Sequence, residues 1–327
     1  MNTGIFRTFR AAPPAEPGTV SIERTVEPAE VEALLEDFEQ RLERLTAADP
    51  RPELRARFED PSAVKAVWRD GQGEVLGAAL AVAEGSGADV AFMHILPAHA
   101  GAGATARLLD ELLQGLPPQV ARVRAMDRFT HRWLHLPAAE VRRLLESRGF
   151  AAFDRVLLAR DLARPLPAPP PLPAGYVLAN PDPARADEFA QFAFRAYRGT
   201  TDFSIIAPDA SPDAYARLYR KFLGGELGEY APPLSLSLVA SDGSLAGVLH
   251  TILIAREPYV GDLSVLAEHR RRGLGRILLT RGLERYREAG HTRAALTVTA
   301  QNTAAYNLYR SLGFEVERSG EVFMLAR

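Results

Sequence analysis

Cysteine is absent from this chain of 327 residues. Its absence excludes a disulfide framework, a thiolate metal site and a cysteine nucleophile. The two signs of charge are nearly balanced, with 39 Lys and Arg and 41 Asp and Glu. The formal net charge of −2 provides no general attraction to nucleic acid or to anionic membranes. The 47% apolar and 24% charged residues are typical of a globular protein.

Long apolar runs are also missing. No stretch of 18 apolar residues occurs, so a membrane-spanning helix is not expected. The N-terminal residues lack the apolar segment of a secretion signal. We therefore expect a cytoplasmic protein, monomeric or homodimeric, with no membrane or nucleic-acid partner. No histidine spacing suggests a metal site, so no metal is expected.

Proline residues are clustered at two places in the chain. Pro13, Pro14 and Pro17 predict a flexible tail over residues 1–18. The sequence RPLPAPPPLP at 164–173 favours an extended polyproline II spacer. Together with the chain length, it predicts two domains, 19–162 and 175–327, joined by a proline-rich linker at 163–174.

The two predicted domains resemble each other. Each has a glycine-containing turn before an amphipathic helix and, further on, a Gly-Phe pair after a second helix. The paired segments are GAG at 101–103 with GLG at 273–275, and RGF at 148–150 with LGF at 312–314. The similar spacing indicates an internal duplication.

Periodicity in the second domain predicts the order β-α-α-β-β-β-α-β-α-β-β. The last two strands are predicted at 314–316 and 322–325. Such an order is typical of an α/β protein with a mixed sheet.

The most informative segment is LSVLAEHRRRGLGRILL at 263–279, in which an apolar strand enters a basic, glycine-containing turn that opens a helix. First-turn amides have no helical partner and carry the positive end of the helix dipole. Gly273 and Gly275 allow an anion to approach the backbone, and neighbouring arginines add positive charge. The segment is neither a Walker A loop nor a dinucleotide fingerprint. A solvated helix start with packing glycines is the alternative.

Two motifs in the second domain resemble those of a known superfamily. RRRGLG at 270–275 resembles the R/Q-x-x-G-x-G/A signature of the GNAT (GCN5-related N-acetyltransferase) superfamily. NTAAYNLYRSLGF at 302–314 resembles the family's second motif, N-x-x-A-x-x-L-Y-x-x-x-G-F. Ala267 departs from a proline that is frequent in the family. The resemblance implies two tandem GNAT-like domains, each a mixed, mostly antiparallel sheet flanked by helices, with the fourth and fifth strands splayed apart.

The same resemblance implies that acetyl-CoA is the acyl-donor co-substrate. The residues implied to contact it are Leu263, Val265, Arg270, Arg271, Arg272, Gly273, Leu274, Gly275, Arg276 and Asn302. The N–H near Val265 would meet the acyl carbonyl. Asn302 has a second interpretation, because asparagine is a favoured helix N-cap.

Acyl transfer to an amine needs a proton donor for the leaving thiolate and, for a charged amine, a base. Tyr309 matches the family's tyrosine, and a phenol is protonated at neutral pH; its alternative role is a core aromatic. Asp262 is the candidate base, provided that the strand presents it to the cleft. The alternatives for the base are Glu226, Glu229, His250 and Tyr259.

The acceptor side is predicted in the segment between the first two helices of the second domain. Thr201, Asp202 and Phe203 are the candidate substrate-binding residues, and a surface loop explains them equally well. The first domain is a degenerate copy: Ala100 replaces the motif arginine and Leu145 replaces the tyrosine. A tandem with the competent copy second is similar in architecture to mycothiol synthases.

The sequence therefore predicts an acyl-CoA-dependent N-acetyltransferase whose active site lies in the second domain. Its acceptor would be an amine of a small molecule or peptide. A non-catalytic acyl-CoA sensor or scaffold is the alternative function, and Tyr309 argues against it. Nucleic-acid binding would depend on residues 269–272 alone and is disfavoured by the balanced charge.

Overall fold

The computed structural model describes residues 19–23, 26–43, 51–125 and 135–327. They divide into two compact units. The first unit contains the described residues up to 83, together with 90–117 and 135–144. The second contains 84–89, 118–125 and 145–327. The tail predicted for residues 1–18 lies outside the described residues.

The N-terminal part of the chain contains both strands and helices. Its elements are β1 (Thr19–Glu23), α1 (Pro28–Glu43), α2 (Arg51–Glu59), β2 (Val64–Arg69), β3 (Val75–Glu84), β4 (Gly87–Ile95), α3 (Ala102–Gly115), β5 (Arg122–Ala125) and α4 (Ala138–Glu146). In α1, Val31, Leu34, Leu35 and Phe38 recur at helical spacing and are all buried. They form a core with residues of α2, β2, β3 and β4. Strand β2 pairs antiparallel with both β1 and β3.

The second unit follows the predicted order closely. Its further elements are β6 (Ala151–Asp161), β7 (Tyr176–Ala179), α5 (Ala186–Tyr197), α6 (Phe203–Ile206), α7 (Pro212–Leu223), β8 (Glu229–Tyr230), β9 (Leu236–Ala240), β10 (Leu245–Ile254), β11 (Glu257–Val265), α8 (Leu274–Glu288), β12 (Arg293–Thr299), α9 (Thr303–Ser311) and β13 (Glu315–Ala326). The short elements α6 and β8 were not predicted, because segments of four and two residues carry no periodic signal.

The strands of this unit lie in the order β5-β13-β6-β12-β11-β10-β9-β7, and β8 pairs with β10. β11 and β12 are parallel, and the ladders on either side of them are antiparallel. The predicted mixed, mostly antiparallel sheet with flanking helices is confirmed.

Helices pack on both faces of β10. Leu249 and Ala246 of β10 pack in one core with residues of α8 and α9. Leu245 and Val248 of the same strand pack in a second core with α5 and α7. Side chains of neighbouring strand residues point to opposite faces, so one strand supplies both cores.

Helix α7 begins and ends at residues suited to these positions. The Ser211 hydroxyl accepts a hydrogen bond from the Ala214 N–H at 3.1 Å, and Pro212 occupies the first turn. Gly225, with φ of 86°, follows the helix in the left-handed conformation that favours glycine. These signals fix the register of the helix that carries Tyr219 and Phe222 towards the sheet.

The closing strands differ from the prediction. The two strands predicted at 314–316 and 322–325 are one strand, β13, which has a register shift between Val316 and Arg318. The cause is its partner: β6 pairs with both segments of β13 and keeps them in line. The apparent break at 317–321 is polar, but it is bridged by this long neighbour.

Strand β6 also pairs with β12 along seven residues, from Arg155 opposite Thr299 to Asp161 opposite Arg293. It precedes the proline-rich linker in sequence and nevertheless belongs to the second compact unit. The division into domains at 163–174 remains a prediction about the repeats. No helix in the described ranges is long and apolar enough to cross a membrane.

Candidate active site

A cleft opens in the sheet where β11 and β12 separate. Their parallel ladder joins only Tyr259 to Ala295 and Val260 to Leu296. The Leu266 N–H bonds to the Ala246 carbonyl on the β10 side. Because consecutive residues of a strand direct their N–H groups to opposite edges, the Val265 N–H faces the cleft. The splayed strands implied by the resemblance are therefore present, with a polar backbone edge between them.

A β-bulge in β11 decides where Asp262 points. His250 pairs with Asp262 and Thr251 pairs with Val260, so Gly261 has no opposite residue. Consecutive residues of β10 face opposite sides, and therefore so do Val260 and Asp262. Val260 packs in the core under α8, whereas Asp262 faces α5 and α7.

Glycine at the bulge leaves room for the Phe222 ring. A Cβ on Gly261 would lie 2.3 Å from the Phe222 ring, which is closer than any tolerated contact. The missing side chain lets α7 approach the strand, and it brings Tyr219 within hydrogen-bonding distance of Asp262.

Asp262 is buried, with 6% of its surface exposed. The Tyr197 hydroxyl donates to its Oδ1 at 2.7 Å, the Tyr219 hydroxyl donates to Oδ2, and Ser264 donates to Oδ2 at 3.2 Å. Burial raises the pKa of the Asp262 carboxyl above its ordinary value, and these three hydrogen bonds oppose the increase. A carboxylate with a raised pKa is better suited to accept a proton from an ammonium group.

Tyr309 lies on α9, with 7% of its surface exposed. Its ring packs edge-on against Phe314 at 6.0 Å between centroids. Burial raises the pKa of its hydroxyl, and the nearby carboxylates of Asp262 and Asp202 raise it further. Within the described chain no hydrogen bond engages this hydroxyl. It therefore remains protonated and available to donate.

A buried polar network lies beside α9. Asp202 accepts hydrogen bonds from Arg155 at 3.2 Å, from Thr299, and from the Asn302 amide at 2.8 Å. Asn302 also caps α9, because its side-chain oxygen accepts from the Ala305 N–H at 3.3 Å. The N-cap interpretation of Asn302 is confirmed. The sequence analysis did not identify Arg155, which reaches this network from β6. An arginine inside a mostly apolar strand was the signal that could have indicated a buried polar contact.

The cleft continues into two adjoining spaces. A cavity of about 320 Å³ lies under the bulge and is lined by Asp262, Tyr309, Asp202 and Arg155, among others. A groove of about 660 Å³ runs past the turn at 270–276. Both are lined by Tyr197, Leu263, Asn302, Ala305 and Tyr309. The Tyr309 side chain is thus at their junction.

The turn before α8 has the conformation of an anion-binding loop. Arg271 and Gly273 adopt left-handed φ values of 61° and 76°. A Cβ on Gly273 would meet no atom within 4 Å, so the backbone there is open to the groove. The backbone N–H groups of 271–276 donate to no acceptor in the described part of the protein. Unpartnered amides at a helix start favour a negatively charged group.

The arginines of the turn have different contacts. Arg270 donates to the carbonyls of Val265 and Ala196 and so links β11 to α5. Arg272 donates to the Tyr176 hydroxyl and does not line the groove. Arg276 donates to Ser311 at 2.6 Å and, like Arg271, lines the groove.

Some of the remaining predicted residues line these spaces and others do not. Thr201 is exposed and lines the groove. Phe203 stacks on Tyr215, with 5.6 Å between the ring centroids, and lines neither space. Among the alternative bases, His250 is buried against Tyr230, and burial lowers its pKa to about 3. Tyr259 donates to Thr297 at 2.6 Å.

The corresponding turn in the first repeat has another conformation. Gly101 is extended, with φ of 179°, where Gly273 is left-handed. The Thr105 hydroxyl donates to the Gly101 carbonyl at 2.9 Å, and its oxygen lies 3.0 Å from His135 Nε2. Of the described residues, no group of three or more His, Cys, Asp or Glu is placed to hold a metal ion.

Comparison with known proteins agrees with this geometry. Residues 193–314 match the family model described as the acetyltransferase (GNAT) family. A mycothiol acetyltransferase from Clavibacter sepedonicus is 30% identical over 247 residues, which cover 73% of each chain.

Two solved structures share the fold. A GCN5-related N-acetyltransferase from Sphaerobacter thermophilus superimposes with a TM-score of 0.60 at 20% identity, covering 94% of this chain and 95% of that one. A tandem GNAT protein from the clavulanic acid biosynthesis pathway gives 0.53 at 16% identity, covering 94% and 98%. The predicted tandem GNAT fold is confirmed, and the chain belongs to the GNAT family of N-acetyltransferases.

Proposed function

We propose that the second repeat transfers the acetyl group of acetyl-CoA directly to an amine held in the 320 Å³ cavity. The observation that carries this proposal is the position of Tyr309, which lines both the groove beside the anion-binding turn and the cavity that contains Asp262. Acetyl-CoA, when bound, supplies the thioester whose acetyl group is transferred. The chain supplies a binding edge, an acid and a base.

The groove fits the cofactor in two respects. Six successive backbone N–H groups at 271–276 have no acceptor within the described ranges and suit a diphosphate, and Gly273 leaves the approach open. The cleft-facing edge of β11 offers backbone groups to an extended amide chain, in the manner of strand addition. The Val265 N–H lies on this edge and would stabilise negative charge that develops on the acyl oxygen.

Asp262 and Tyr309 have complementary protonation states. The Asp262 carboxylate would accept the proton that the attacking amine loses, and its raised pKa favours that step. The Tyr309 hydroxyl would donate its proton to the sulfur as the C–S bond breaks. No covalent enzyme intermediate is needed, which agrees with the absence of cysteine. The first repeat lacks the left-handed turn and the tyrosine, and we assign it no catalysis.

The proposal is tested by amine-dependent release of CoA. A thiol reagent reports only released CoA, because the chain has no thiol of its own. We expect Tyr309→Phe to lower kcat about 100-fold or more, the range of a lost general acid, with little change in the KM for acetyl-CoA. Tyr306→Phe is the matched control, since Tyr306 lies on the same helix and lines neither space. Equal turnover by Tyr309→Phe and wild type would refute the acid assignment.

A further inference from the structure

Much of the acceptor cavity is lined by apolar groups. Aliphatic and aromatic side chains of α6, α7, β10 and the turn after α7 contribute to its wall. These are Ile206, Leu218, Phe222, Leu227, Ile252 and Ile254. A ligand that fills this part of the cavity must therefore contact hydrocarbon.

Two of these side chains remain exposed at the edge of the cavity. Leu227 and Ile254 have exposed fractions of 38% and 46%, and only two other large aliphatic side chains in the described ranges are comparably exposed. Those two, Val177 and Val316, line neither the cavity nor the groove. Isolated exposed aliphatic residues are common, but a pair at one cavity indicates a binding surface for apolar groups.

The polar groups of the cavity are mostly engaged already. Arg155 and Asp202 form an ion pair with each other, although the buried Arg155 Nε–H has no partner among the described residues. Tyr197 and Tyr219 donate to Asp262, Tyr215 donates to the Phe203 carbonyl at 3.0 Å, and Tyr259 donates to Thr297. A polyhydroxylated acceptor would lose its hydration here and find few partners, which is unfavourable.

We propose that the acceptor is an amine with an apolar body, either an alkyl chain or a single aromatic ring, and not an amino sugar. Its amino group lies between Asp262 and Tyr309, and its body contacts Phe222, Leu227 and Ile254. The volume of about 320 Å³ is at the lower end for small-molecule sites and matches such an amine. This inference rests on the proposed function and specifies its substrate class.

The test is a homologous series of primary alkylamines, from ethylamine to hexylamine, compared with glucosamine. The alkylamines have nearly equal basicity, so their differences report burial of the chain. Each methylene buried is expected to raise kcat/KM about fourfold. Glucosamine is expected to be the poorest acceptor. The inference would be overturned if kcat/KM did not change with chain length, or if glucosamine were a better acceptor than the alkylamines.

Substitutions locate the apolar surface. Ile254→Asn is expected to reduce the gain per methylene to less than about twofold for the longer amines. Val316→Asn is the matched control, since its exposed fraction of 50% is similar and it lies outside the cavity. The inference is wrong if both variants show the wild-type series.

Failure of catalysis can be separated from failure of the inference. Binding of the same amines to the CoA-saturated protein is measured by calorimetry. If binding tightens with chain length but no amine is acetylated, the proposed function fails and the apolar acceptor site stands. If hexylamine does not bind more tightly than ethylamine, the acceptor site itself is refuted.

Discussion

Replacing Asp262 by asparagine removes a charge while preserving shape. The carboxylate lies among Tyr197, Tyr219 and Ser264, all of which donate to it. An amide can keep one acceptor contact and donate to another hydroxyl oxygen, so the fold is retained. Loss of a general base typically costs 100- to 10,000-fold in rate, and we expect kcat/KM to fall by about that factor.

The pH dependence gives a second readout. Because burial raises the pKa of Asp262, wild-type kcat/KM should fall with decreasing pH through a value above the ordinary 4 of an aspartate. Ionisation of the amine also limits the rate at low pH. Two acceptor amines that differ in basicity distinguish ionisation of Asp262 from ionisation of the amine. An acidic limb of the pH–rate profile that is due to Asp262 stays at the same pH with both acceptors. That limb should be absent in Asp262→Asn.

The same substitution should stabilise the protein. The folded state holds the Asp262 proton more tightly than the unfolded chain does, so wild-type stability decreases as the pH rises from about 4 through the raised pKa. Each pKa unit corresponds to about 1.4 kcal/mol. Urea unfolding at pH 7 should therefore show Asp262→Asn to be at least as stable as wild type. An active variant, or one destabilised by several kcal/mol, would refute this account of Asp262.

Two further predictions concern the buried network around Asp202. Arg155→Met leaves the Asp202 carboxylate buried without its cationic partner, so we expect the free energy of unfolding to fall by about 3–5 kcal/mol. Much of this loss should be recovered in the double variant with Asp202→Asn. A loss below 1 kcal/mol would contradict the ion pair. Asn302→Ala removes the α9 cap and should cost about 0.5–2 kcal/mol in the same assay, and an unchanged midpoint would exclude the cap.

The parts of the site that the sequence predicted are local ones. The turn at 270–276 and the helix with Tyr309 each lie within a short segment, where glycine positions and helical spacing are informative. Both line the groove in the structure. Their roles in binding and catalysis stay predictions until the variants are measured.

The bulge at Gly261 could not be predicted, because it is a property of strand pairing. The buried residues of β11 alternate without interruption at 258, 260, 262 and 264, which resembles a regular strand. Only the register with β10 shows that Val260 and Asp262 face opposite sides. Local periodicity contains no information on that register.

Arg155 was missed for a related reason. The repeat pattern assigned β6 to the first domain, but β6 pairs with β12 and β13 of the second. The interaction of Arg155 with Asp202 spans 47 positions and follows from this long-range pairing. Asp202 stays a candidate substrate-binding residue, and its charge is offset by its buried partner Arg155.

The central claim is that the turn containing Gly273 holds the diphosphate of CoA. Calorimetric titration of CoA into two variants tests it most directly. Gly273→Ala forces an alanine into a left-handed conformation, at about 1–2 kcal/mol. Relaxation of this strain moves the turn away from the conformation that presents its N–H groups, so CoA affinity should fall roughly tenfold. Gly101→Ala changes an extended, open position in the first repeat and should bind CoA like wild type. Weakened binding in Gly101→Ala with unchanged binding in Gly273→Ala would contradict the account.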